Sequence, residues 1–156
     1  MQSLKRHPAL ADLSRHHHHA LALCLKITKA ADDANAQPAL IEAIRQFWEQ
    51  GGQEHFREEE QFILPSYSRY AEIDHPEIIA MLLEHVHIRA LADIITRIEG
   101  EHQADIRQFG SILEKHVRRE ERVIFPMVEK ALPEEELERL SPYLHEDSPH
   151  CRIQPK

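Results

Sequence analysis

His55-Phe56-Arg57-Glu58-Glu59-Glu60-Gln61-Phe62-Ile63-Leu64-Pro65 decides the reading of this chain, because the chain carries it twice. The second copy is His116-Val117-Arg118-Arg119-Glu120-Glu121-Arg122-Val123-Ile124-Phe125-Pro126. Six of the eleven positions are identical: the His, the Arg, the two later Glu, the Ile and the Pro. In both copies a Glu follows the His by four residues. Four residues are about 400° of helix, so both side chains leave the same face one turn apart. A neutral imidazole beside a carboxylate, presented twice, is the donor set a helical protein uses to hold two metal ions.

Outward from the two copies, the apolar pattern keeps a helical period. A first helix is expected from about Pro8 or Asp12 to Ala31, with Leu10, Leu13, His17, Leu21 and Cys24 on one face. The run His16 to His19 lies inside this Leu-periodic stretch, so it does not read as a terminal tag. Asp32 to Gln37 is a loop, and Pro38 suits the first turn of the second helix. That helix carries Ile41, Ile44, Trp48, His55, Glu59 and Phe62 inward. Gly51-Gly52 interrupts it, either as a weak point or as room beside a ligand site, and Pro65 ends or bends it. A third helix starts near Pro76 and stops near Gly100, with Ile78, Met81, Leu82, His85, Ile88, Ala92 and Ile95 inward. The fourth holds Phe109, Ile112, Leu113, His116, Glu120, Val123 and Met127 inward, with a kink expected at Pro126.

Four of the inward residues are His17, His55, His85 and His116. The midpoints between successive pairs are 36, 70 and 100–101, and each falls in an expected loop. In antiparallel neighbours, residues equidistant from a turn lie at one height. An all-α, up-down-up-down four-helix bundle therefore brings all four imidazoles to one level, with Glu59 and Glu120 one turn away. Four imidazoles and two carboxylates can hold two ions, two His to each, with the carboxylates bridging. Nitrogen and oxygen donors without thiolate suit iron or manganese, and zinc by availability. The same groups buried without a metal would cost several kcal/mol of desolvation.

The remaining composition narrows the class. With 156 residues the chain reads as one bundle over 1–132 and an acidic tail over 133–156, the tail holding a short helix from Glu134 to Leu140. A net charge of -8 and no basic stripe argue against a nucleic-acid partner. The longest apolar runs, Ala20 to Leu25 and Ile78 to Leu83, are too short to span a bilayer, and no signal-peptide core is visible. The two cysteines, Cys24 and Cys151, make no CxxC, which suits a reducing cytoplasm. Glu58, Glu60 and Glu121 are expected to be solvated or to support the ligands from outside. His87 is expected to be exposed, His102 to face inward near the bundle end, and His145 and His150 to have no role.

Taken together, Leu13-Ser14-Arg15-His16-His17, Phe47-Trp48, the doubled His-xxx-Glu-Glu-xxxx-Pro element and Glu84-His85 make the sequence resemble the hemerythrin-like, His-His-Glu cation-binding family over about residues 10–130. The resemblance implies a non-haem di-iron centre with His17, His55, Glu59, His85, His116 and Glu120 as metal ligands. It implies binding or sensing of a small diatomic ligand, dioxygen or nitric oxide, more than a dedicated enzyme. The alternative is redox work: repair of iron centres, or removal of peroxide. A protein partner is compatible with either. Three departures stand out. The oxygen carriers have two His one turn apart on the third helix, where this chain has Met81 and Arg89 around His85. Their last carboxylate stands five residues after its His, which here is Glu121. The residue before the first His is often acidic in the wider family, and here it is His16. Whether His18 replaces His17, or Glu121 replaces Glu120, stays open at this point.

Overall fold

The structure, a computed structural model, describes residues 5–144, so Met1 to Leu4, His145, His150 and Cys151 lie outside the described residues. Five helices and no strand occur among the described residues. Helix α1 is Ala11–Ala30. Helix α2 runs over 37–68, joining Gln37–Phe47, Gln53–Glu58 and Leu64–Ser68 through two π turns, Trp48–Gly52 and Glu59–Ile63. Helix α3 is Pro76–Arg97. Helix α4 runs over 103–131, with Gln103–Arg119 and Phe125–Ala131 joined by a π turn, Glu120–Ile124. Helix α5 is Glu134–Leu140. Around the bundle, α1 and α3 each lie beside both α2 and α4.

The helix starts follow local chemistry. The His75 ring accepts from Glu77 N–H at 3.1 Å, and Pro76 fills a first-turn place where no amide is needed. Neither Pro65 nor Pro126 ends its helix. In a regular helix the proline ring strikes the carbonyl one turn back. Here the turn before each proline is widened: Leu64 N–H bonds Glu59 O, and Phe125 N–H bonds Glu120 O, five residues apart in both cases. Each helix then continues past its proline.

The widening has a second effect. A π turn adds one residue, so side chains beyond it change face by one position. Phe62, Val123 and Met127, expected inside, are only partly buried. Their neighbours Ile63, Ile124 and Val128 take the core places at 1% exposure each. Leu82, also expected inside, is exposed, and the run Ile78 to Leu83 divides, with Ile78 and Met81 buried and Ile79 and Leu83 outside.

Two apolar clusters result. One holds Leu23, Cys24, Ile44, Trp48, Ile88, Phe109 and Leu113 among others. The Cys24 thiol sits there, donating to Gly110 O at 3.4 Å, with burial raising its pKa to about 12. The other holds Leu10, Leu13, Ile63, Met81, Ile124 and Phe125, and the end of the described chain joins it through Leu137, Leu140 and Leu144. Glu136 fastens α5 there, bonded by Ser66 and by Arg69 at 2.6 Å. Each fully buried Leu, Ile or Phe contributes roughly 1.5–3 kcal/mol. Along each of α1 to α4, the polar residues of interest lie between residues of the first cluster and residues of the second.

Candidate metal centre

His17 on α1, His55 and Glu59 on α2, His85 on α3, and His116 and Glu120 on α4 meet in the layer between the clusters. Their exposures run from 0 to 5%. The connections between helices fall at 31–36, 69–75 and 98–102, which contain the midpoints that place the four imidazoles at one height. The i+4 relation survives because the backbone is regular α-helix from His116 up to Glu120 and from His55 up to Glu59; the extra residue comes just after each Glu.

The contacts centre on the two carboxylates. Glu120 Oε1 lies 2.9 Å from His116 Nε2, 3.1 Å from His17 Nε2 and 3.8 Å from His55 Nε2. Glu59 places Oε1 3.3 Å from His85 Nε2 and Oε2 3.5 Å from His55 Nε2. Imidazole centroids are 4.8 Å apart for His17 and His55, and again 4.8 Å for His85 and His116. The potential donors form two sets that share Glu120: Glu59, His85, His116 and Glu120 on one side, His17, His55 and Glu120 on the other.

Most of these atoms have no hydrogen-bond partner. Nε2 of His55, His85 and His116, both oxygens of Glu59 and Oε2 of Glu120 are buried and unsatisfied. Orphaned buried polar atoms cost about 1–3 kcal/mol each, and more when charged. Six of them converging on one spot is the arrangement a cation relieves. The donor set therefore fits a metal centre.

The outward nitrogens are all held. His17 Nδ1 meets Glu121 at 2.6 Å, His85 Nδ1 meets Glu60 at 2.8 Å, and His116 Nδ1 meets Glu84 at 3.2 Å. His55 Nδ1 meets His16 Nδ1 at 2.9 Å. These contacts fix each ring and leave Nε2 facing the centre. Guanidiniums stand behind the carboxylates: Arg6 on Glu121 and Arg89 on Glu60 at 2.9 Å, and Arg119 on Glu84 at 3.0 Å. Ring contacts complete the wall. Phe56 stacks on His85 with centroids 3.9 Å apart, and Phe125 stacks on His17 at 5.4 Å.

Charge in the layer is strongly perturbed. Burial opposes a charge on His116, but Glu120, Glu84 and Glu59 outweigh it and raise its pKa to about 10. Burial also opposes charge on His85, and Glu59 and Glu60 overcome it and push the pKa up. Burial and the facing Glu120 push Glu59 well above the carboxylate range. Glu120 goes the other way: despite burial, His116, Glu59 and His17 hold it well below. Burial and the facing His55 lower His16 to about 3, so its ring is neutral.

His18 and His87 are exposed, and Glu121 lies outside the layer on the far side of His17. Glu60 and Glu121 support the rings from outside. His102 is buried at the other end of α4, bonded to Ile98 O at 2.5 Å and Asp105 at 3.2 Å, away from the centre. Gly51 does make room, but for His16: a Cβ there would stand 2.8 Å from His16 Nε2. Sequence reasoning missed the supporting roles of His16 and Glu84. A signal was present, since each immediately precedes an inward His, a place on the helix about 100° from the centre and turned toward a neighbour.

The family model for the Hemerythrin HHE cation binding domain matches residues 9–128. The chain belongs to this family. Its matched span covers α1 to α4 through the π turn Glu120–Ile124, and so every residue of the layer. No curated protein and no solved structure matches the chain. No helix among the described residues is long and apolar enough to cross a membrane.

Proposed function

We propose that this hemerythrin-family chain holds two metal ions, iron where iron is available, and binds or senses dioxygen or nitric oxide there. The up-down-up-down order of α1 to α4 belongs to this reading. The ligands are His17, His55, Glu59, His85, His116 and Glu120, with Glu120 common to the two donor sets. The observation that carries it is the convergence of unsatisfied buried nitrogens and oxygens whose outer partners already fix their orientation. When bound, the iron pair supplies the coordination and redox chemistry that a diatomic ligand needs. The protein supplies the rest. Glu60, Glu84 and Glu121 keep the protons of their imidazoles on Nδ1, so that Nε2 offers a lone pair. Phe56 and Phe125 exclude water from the flanks. On the His17 and His55 side only three side-chain donors meet, which leaves coordination places for a small ligand.

The test is metal content with the optical spectrum of freshly isolated protein. Two iron ions per chain and a spectrum that changes reversibly with dioxygen or nitric oxide are expected. An irreversible change with peroxide and none with the diatomic gases would transfer the assignment to redox repair or detoxification. One metal or none after iron-replete expression would overturn the dinuclear centre.

A further inference from the structure

We infer that His16 makes the two ion positions unequal, and that the position between His17 and His55 gives up its ion first. This rests on the dinuclear reading above. Three inward imidazoles present Nδ1 to a carboxylate with a guanidinium behind it: His17 to Glu121 and Arg6, His85 to Glu60 and Arg89, His116 to Glu84 and Arg119. His55 alone presents Nδ1 to another imidazole, His16, at 2.9 Å.

Two ring nitrogens at that distance share one proton, one donating and one accepting. For neutral His55 to offer a lone pair at Nε2, its proton must sit on Nδ1. His16 is then the acceptor, and carries its own proton on Nε2. A carboxylate partner draws on the imidazole proton and raises the basicity of the opposite nitrogen. An uncharged imidazole does this far less. His55 is accordingly the weakest of the four nitrogen donors, and it belongs to the smaller donor set.

The repeat shows that the difference is a substitution at one place. His16 precedes His17 and supports the His of the first copy; Glu84 precedes His85 and supports the His of the second. The two positions correspond, and the chain has a carboxylate at one and an imidazole at the other. The cation is exchanged too: where the second copy has Arg119, the first has Glu58. Solvent also reaches this flank. A cavity of about 320 Å³ between α1 and α2 is lined by His16, His19, Lys26, Phe47 and Gln50.

The experiment loads the protein with zinc, challenges it with a chelator, and counts ions per chain over time. Two phases are expected, the first roughly 10–100-fold faster, the range typical of a lost outer partner. His16→Glu gives His55 the partner that His116 has, and should slow the first phase and close most of the gap. His16→Gln, uncharged like the native ring, should keep the fast phase. Glu84→Gln should speed the second phase toward the first, and reports independently if His16→Glu fails to fold. Two ions leaving wild-type protein in a single phase would overturn the inference while sparing the dinuclear centre, and so would a gap unchanged by a folded His16→Glu. A chain that never takes up two zinc ions would overturn the centre itself, and this inference with it.

Discussion

The layer has two halves, each with two imidazoles, and they differ in their carboxylates and in their surroundings. Around His85 and His116, four donors meet, and both rings lean on carboxylates backed by Arg89 and Arg119. Around His17 and His55, three donors meet, and one ring leans on His16. His55, Glu59, His116 and Glu120 come from the repeat, while His17 and His85 come from α1 and α3. The repeat also supplies the matching outer partners Glu60 and Glu121, whereas the partners that differ, His16 and Glu84, come from α1 and α3. The repeat therefore sets four of the six inward side chains, while α1 and α3 set the partners on which His55 and His116 lean.

The largest expected effect breaks both halves together. Glu120 belongs to both donor sets, so Glu120→Ala should leave the chain with essentially no retained metal after desalting. Glu121→Ala removes only the outer partner of His17. It should keep most of the metal while weakening retention by about 10–100-fold. Elemental analysis of both variants after iron loading decides the matter. Metal lost from Glu121→Ala and kept by Glu120→Ala would place the ligand at i+5 and undo the comparison.

A second effect comes from pH, and its sign depends on metal. Without metal, His116 has its pKa raised from 6.5 to about 10. A raised imidazole stabilises the fold fully below its unfolded value, and this contribution fades as pH rises through the folded value. Metal-free protein should thus lose stability between about pH 6.5 and 10, by way of the His85 and His116 half. With metal bound the imidazoles are neutral and protons compete, so metal retention and stability should fall as pH drops below the imidazole range. Loading should release protons, which a pH-stat records. Melting curves of the two forms across pH should slope in opposite directions; parallel slopes would show that the His residues are not ligands.

The smallest effect tests the exceptional partner alone. Gly51→Ala puts a methyl 2.8 Å from His16 Nε2, where the stacked rings of His16 and Phe47 leave the ring little freedom to retreat. Overpacking of this kind costs about 1–3 kcal/mol. Denaturant unfolding should show that loss, with the looser His17 and His55 position releasing its ion faster still. An unchanged midpoint would mean that His16 is less tightly held than its contacts indicate.

Much of the centre was legible before any coordinates. The i+4 spacing within each copy and the midpoints across three loops follow from helix rise and period, which are nearly constant, so spacing alone brings His17, His55, Glu59, His85, His116 and Glu120 near one level, as the structure has them. The same constancy explains the misreadings. Phe62 and Val123 lie within π turns and Met127 just past one, and a uniform 3.6-residue period has no place for the added residue. Periodicity could not show in advance that Pro65 and Pro126 would be absorbed by widened turns rather than end their helices.

The sequence by itself determined the helical class, the family, and which six side chains share a level, because these depend on spacing along single helices. Only the tertiary structure decided which nitrogen of each imidazole faces inward, which carboxylate or imidazole holds the other, and that His55 differs from its three counterparts. Those properties belong to pairs of residues up to 104 positions apart, as with His17 and Glu121. Their chemistry is set by contacts within about 3 Å, and no local pattern in the chain encodes a distance of that kind.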